Sequence, residues 1–117
     1  MNVRRGDIVK VDLGRKHDDD TRGSEIYKPR RSVVIQNDVG NANSPTTIIA
    51  PISGGHTGYP FHVNLPGSMD ELTKDSHVQL DQIRTVDIEE RVLKRYGEVS
   101  PSQMDDIDEA LRLSLGI

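Results

Sequence analysis

Three side chains of this sequence could together work on a phosphodiester: the carboxylate of Glu25, the guanidinium of Arg30 and the hydroxyl of Ser53. RNA is cut without an outside nucleophile when its own 2′-hydroxyl attacks the adjacent phosphorus. The reaction needs a base for that hydroxyl, cations for the charge growing on the phosphate oxygens, and a proton for the departing 5′-oxygen. Arg30 offers a forked, permanently charged donor suited to phosphate. Ser53 adds a hydroxyl toward the same oxygens, and Glu25 could serve as base or orienter. Spacing alone leaves a second reading open, a surface Glu–Arg pair and a serine that ends a strand.

Other chemistry finds less support. The four histidines are His17, His56, His62 and His77. A histidine pair could do acid–base work on a phosphodiester, but His62 and His77 fall in strand patterns with no fixed spacing to a carboxylate. His56, in a Gly-rich loop, is the best placed of the four. The run Asp18-Asp19-Asp20 lacks the glycine and the spaced carboxylates of a calcium loop and reads as a solvated segment. Gly54-Gly55 lacks the Lys-Ser/Thr that would make a phosphate-binding loop. No Gly-x-Ser-x-Gly element supports a hydrolase triad. With no cysteine, thiolate metal sites, disulfides and a Cys nucleophile are excluded.

Charge is distributed unevenly. Arg22, Lys28, Arg30 and Arg31 face one carboxylate, Glu25, within ten residues, and no Lys or Arg occurs between Arg31 and Lys74. From Glu98 onward five acids accompany one arginine, and the net charge is -4. A chain that is acidic overall can still carry a local cationic field that steers an anion. Its 117 residues fit one domain, 1–117. The hydrophobic share of 33% is thin for a monomer, so dimerisation would help bury a core made mostly of Val, Ile and Leu. No apolar run approaches the roughly 20 residues of a membrane span. No secretory signal precedes Arg4-Arg5-Gly6-Asp7, so a cytoplasmic protein is the expectation.

The elements that must hold these residues are mostly strands. Ile8 to Leu13 alternates, with Val9, Val11 and Leu13 on one face. Gly14 to Pro29 reads as a long loop, of a length that is usually either functional or disordered. Arg31 to Gln36 carries a continuous apolar run that predicts burial on both faces. Residues 40–45 read as a turn, and Thr46 to Ser53 as a third strand that Pro51 places near an edge or bulge. Phe61 to Leu65 is a fourth strand. His77 to Leu80 and Gln82 to Val86 form a further one, kinked at Asp81-Gln82. One helical turn over Asp87–Arg91 and a short strand to Val99 follow. Ser100 as N-cap, Pro101 at the first helical position and Gln103 closing a capping box predict a C-terminal helix, stopped by Gly116. Many short strands and one terminal helix predict a mainly β fold with α, a small β-barrel carrying a C-terminal helix.

The chain resembles the MazF/PemK family of toxin endoribonucleases. The matching residues run in the family's order: Arg5-Gly6-Asp7-Ile8-Val9, Gly23-Ser24-Glu25 with Arg30 beyond, and Val33-Val34-Ile35-Gln36-Asn37-Asp38. They continue with Ser44-Pro45-Thr46, Ile52-Ser53, Gly58-Tyr59-Pro60-Phe61 and Asp81-Gln82-Ile83-Arg84-Thr85-Val86-Asp87. Together they span roughly residues 4 to 115. The resemblance implies a small SH3-like β-barrel with a C-terminal helix, working as a homodimer. It implies metal-independent, sequence-specific cutting of single-stranded RNA to 2′,3′-cyclic phosphate and 5′-hydroxyl ends, with no cofactor. The family's catalytic Arg falls on Arg30, its loop Glu on Glu25 and its catalytic Thr on Ser53. RNA contacts are expected from Arg22, Lys28, Arg31, His56, Tyr59 and Gln82. The family's Pro after the catalytic Arg is replaced here by Arg31, and His62 stands where some relatives carry Glu. A cognate antitoxin with an acidic, disordered tail is the implied partner, and the basic 22–31 segment suits it. Two alternatives remain: a gyrase-inhibiting toxin on the same barrel that cuts nothing, and an inactive RNA- or peptide-binding barrel.

Overall fold

The computed structural model describes residues 1–15 and 22–117; His17 and the Asp18–Asp20 run lie outside them. In chain order the elements are β1 (Asp7–Asp12), β2 (Pro29–Val34), α1 (Asp38–Asn43), β3 (Thr46–Gly54) and β4 (His62–Leu65). Then come β5 (Ser76–Gln79), β6 (Arg84–Asp87), α2 (Ile88–Arg91), β7 (Val92–Glu98) and α3 (Pro101–Leu115). Every pairing is antiparallel. The strands run β4-β5-β3-β2-β1-β7, with β6 attached to β3. No ladder joins β4 to β7 among the described residues, so the expected barrel is an open one.

Burial follows the alternation. Val9, Val11 and Leu13 pack with Val34, Ile49, Val86, Ile88 and Val92. Ile8, Val33, Ile35, Ala50 and Ile52 pack on the other side with Leu65, Leu80 and the α3 residues Ile107 and Ala110. The neighbours Val33 and Val34 thus enter different clusters, and both are fully buried, which is the two-sided burial their continuous apolar run predicts. β2 and β3 are therefore the rigid middle of the sheet, and the strand ends that carry Arg30 and Ser53 inherit that rigidity.

Three details differ from the sequence reading. Residues 38–43 form a short helix rather than a plain turn, because Asn37 caps it by accepting from the Gly40 N–H at 2.8 Å. Gly40 is needed there for space: a Cβ would stand 2.9 Å from the Gln36 side chain. The kinked strand is two strands, β5 pairing with Ile52–Gly54 and β6 with Thr46–Ile49. Pro51 is buried in the central strand and not at an edge. It sits where β3 passes from β6 to β5, so its missing donor falls at the change of partner.

The C-terminal helix is capped as its sequence predicts. Ser100 Oγ accepts from the Gln103 N–H at 3.1 Å and Gln103 Oε1 accepts from the Ser100 N–H at 2.8 Å. Gly116 ends the helix in the left-handed region, at φ 72°. Arg5 ties the helix to the sheet, donating to the Ile35 carbonyl and pairing with Asp108.

Candidate active site

Arg30 and Ser53 meet because of strand register. Ser32 lies opposite Pro51 across the β2–β3 ladder, and two residues further along the same register sets Arg30 against Ser53. Residues opposite one another in an antiparallel pair share a face. The guanidinium Nη1 donates to Ser53 Oγ at 3.0 Å, and Nε donates to the Tyr27 carbonyl at 2.9 Å. Two protein acceptors thus fix the plane of the fork and leave its other N–H groups available. Partial burial lowers the Arg30 pKa from its ordinary value by desolvation, opposed by Tyr27, and an arginine so shifted stays charged at neutral pH.

The same row continues across β5 and β4. Ser53 lies opposite His77, and His77 opposite Asn64. Ser53 Oγ donates to Gln79 Oε1 at 3.5 Å, a long bond, and Gln79 Nε2 lies 3.3 Å from His77 Nε2. His77 is buried, and its Nδ1 donates to the Gly55 carbonyl at 2.8 Å. His62 stacks near it at 4.8 Å between ring centroids and binds Asp81 at 2.9 Å. Sequence spacing gave His62 no carboxylate; the β4–β5 pairing and the turn after β5 supply one.

A cleft of about 170 Å³ opens on this pair. Arg30, Arg31, Ser53, Gly54, Thr73 and Lys74 are among its lining residues. Arg31, the departure from the family pattern, belongs to β2 opposite Lys10. Its guanidinium lies 4.2 Å over the Tyr96 ring, and its Nε is buried without a hydrogen-bond partner. Lys74 and Thr73 escaped the sequence reading, as did Gln79 as a neighbour of Ser53. The one signal for Lys74 was its position as the first cation after the long uncharged-by-base stretch that follows Arg31.

The structure places Glu25 elsewhere. Its carboxylate accepts from the Arg22 N–H at 2.7 Å, closing the turn at residues 22–25, and it lines a separate cleft with Gln82 and Asp81. Gln82 reaches the carbonyl of Ser24 at 3.4 Å, so Arg22, Glu25 and Gln82 form one neighbourhood. Lys28 is exposed, in the left-handed region at φ 67°, with its N–H on the Gly14 carbonyl at 2.6 Å. His56 is exposed, with Nε2 on the Leu65 carbonyl at 3.0 Å. Tyr59 is exposed too, and its ring stacks on Phe61 at 5.2 Å. Among the described residues no three His, Asp or Glu side chains gather as a metal site. No described helix is long and apolar enough to cross a membrane.

The architecture is that of known toxins. MazF from Deinococcus radiodurans superposes with a TM-score of 0.82 at 21% identity, covering 100% of this chain and 99% of that one. A mycobacterial endoribonuclease in complex with its cognate antitoxin gives 0.79 at 24% identity, over 98% and 96% of the two chains. A MazE–MazF complex from Deinococcus radiodurans gives 0.76 at 19% identity, over 100% and 98%. At these identities the likeness shows the fold. The sequence itself matches the family described as PemK-like, MazF-like toxin of type II toxin–antitoxin system over residues 4–115, and the chain belongs to that family.

Proposed function

We propose that this toxin is a metal-independent, sequence-specific endoribonuclease that cuts single-stranded RNA by attack of the 2′-hydroxyl on the adjacent phosphorus. The observation that carries the reading is the hydrogen-bonded Arg30–Ser53 pair, set by strand register at the mouth of a cationic cleft. In the proposed reaction Arg30 and Ser53 donate to the non-bridging oxygens as their charge grows. The 2′-oxygen–phosphorus bond forms while the bond to the 5′-oxygen breaks. One proton leaves the 2′-hydroxyl, with Glu25 as the base, and one is delivered from solvent to the departing 5′-oxygen. The products are a 2′,3′-cyclic phosphate and a 5′-hydroxyl. Because the turn at residues 22–25 now holds the Glu25 carboxylate, this role requires the turn to rearrange when RNA binds.

Arg22, Lys28, Arg31, Gln82, His56 and Tyr59 are proposed to contact flanking nucleotides, the exposed Tyr59 ring by stacking. We assign the whole chain to one toxin domain acting in the cytoplasm as a homodimer. A cognate antitoxin with an acidic tail would occupy the same cationic groove as RNA. That reading is supported by the family and by a structural relative solved with its antitoxin.

The test is incubation of the pure protein with a long single-stranded RNA in EDTA. Discrete fragments with cyclic-phosphate ends are expected, and Arg30→Ala should abolish them. Intact RNA with a demonstrably folded protein would sink the nuclease reading and leave the gyrase-binding and inactive-barrel alternatives.

A further inference from the structure

The proposed reaction builds charge on two non-bridging oxygens, and a second cation beside Arg30 would help meet it. Two of the Arg30 N–H groups are already committed, to Tyr27 and Ser53. The adjacent Arg31 is packed on Tyr96, a ring that also has Lys94 Nζ 5.0 Å from its centroid. The third cation lining the cleft is Lys74.

The backbone at Lys74 is held by hydrogen bonds. Ser76 Oγ donates to the Lys74 carbonyl at 2.9 Å. The next residue, Asp75, accepts through its carbonyl from the Gly55 N–H at 2.8 Å and through its carboxylate from the Gly67 N–H at 2.7 Å. These bonds fix the backbone beside the end of β3. The side chain then lies across Gly54, the residue after Ser53. A Cβ on Gly54 would stand 2.7 Å from Lys74 Cε and 2.8 Å from Nζ. Gly54 is not among the residues of positive φ, so its backbone does not demand glycine. A Cβ there would push the end of the lysine side chain aside. No ion pair to a carboxylate engages Lys74 among the described residues.

We infer that Lys74 is a second phosphate-binding cation of this site, contacting the RNA backbone at the cleft beside Arg30 and Ser53. The inference rests on the nuclease reading for the identity of the anion. An ammonium on a flexible stem complements the fixed guanidinium: it can follow the phosphate as the oxygens move, while Arg30 holds a set direction. Gly54 acts through Lys74, as a positioning residue.

Three variants test it: Lys74→Gln, Lys74→Arg and Gly54→Ala. Cleavage is followed on a long single-stranded RNA, binding on an uncleavable 2′-O-methyl RNA of mixed sequence across a salt series, and folding by thermal melting. Lys74→Gln should cut about ten-fold more slowly, and the slope of log affinity against log salt should fall by about 0.7, the counterion release of one single-strand phosphate. Lys74→Arg should restore both. Gly54→Ala, with the charge kept but the amine displaced, should lose rate while melting as the wild type does. Wild-type cutting and an unchanged salt slope in Lys74→Gln would overturn the inference and leave the nuclease reading standing. A wild-type protein that binds the RNA without cutting it would overturn the nuclease reading, while the slope still decides Lys74. A wild-type protein that neither binds nor cuts would overturn both.

Discussion

At the scale of single residues, Ser53 is the most informative position. It keeps the hydroxyl that the family's Thr provides and drops the methyl, and its place is secured by the Arg30 fork at 3.0 Å. Removing one donor aimed at a developing oxyanion costs roughly 100-fold or more in rate. Ser53→Ala is therefore expected to slow single-turnover RNA cleavage by about 100-fold. Ser53→Thr should retain most of the rate, since it keeps the donor and its β-branch suits a strand. Equal losses in the two variants would show that the hydroxyl is not what matters. Arg30 and Ser53 were legible in the sequence only through the order of surrounding motifs. Glu, Arg and Ser are common, and nothing in their spacing says that residues 30 and 53 lie opposite one another. Lys74 showed only as the first cation after a long stretch without Lys or Arg, because its place in the site depends on a loop between β4 and β5 that brings its side chain to Gly54.

At the scale of elements, α1 shows how a local cap overrides composition. Gly40-Asn41-Ala42-Asn43 reads as a turn, yet Asn37 and Asp38 supply a helix start. Asp38 Oδ1 accepts from the Arg5 N–H at 2.7 Å and from Asn41 Nδ2 at 3.2 Å. The bond from Arg5 and then that from Asn41 lower its pKa from the ordinary carboxylate value. A carboxylate with a lowered folded-state pKa stabilises the fold above its ordinary pKa. That stability is lost as the pH falls through the lowered value. Asp38→Ala should thus melt below the wild type at pH 7, and the gap should narrow as the pH falls below the ordinary carboxylate value. A gap independent of pH would assign the effect to helix packing and not to the charge. The capping box of α3 and the alternation of β1, by contrast, were readable directly, since both depend on residues within one turn or one strand.

At the scale of the whole molecule, charge and apolar surface separate. Arg30, Arg31 and Lys74 line one cleft at the ends of β2 and β3, while the last helix carries most of the late acids. Leu113, Leu115 and Ile117 are exposed at the end of α3, and Leu113 also lines a hollow of about 550 Å³ between α3 and β4. A chain with a 33% hydrophobic share gains from covering such residues. If they lie in the proposed homodimer interface, Leu113→Asp should shift the protein from dimer to monomer in sedimentation at equal concentration, with its melting curve still cooperative. A dimer that survives this change would place the interface on another face.

The register pair has a consequence for how the site is divided along the chain. Arg30 belongs to the part before α1 and Ser53 to the part after it, and α1 itself contributes nothing to the cleft. A polypeptide severed within Asp38–Asn43 would leave each fragment with half of a phosphate site and half of a ladder. Neither fragment alone would hold a complete site. Re-forming the β2–β3 ladder would re-form the site with it, so the molecule could be stored as two harmless pieces whose reassociation restores the poison.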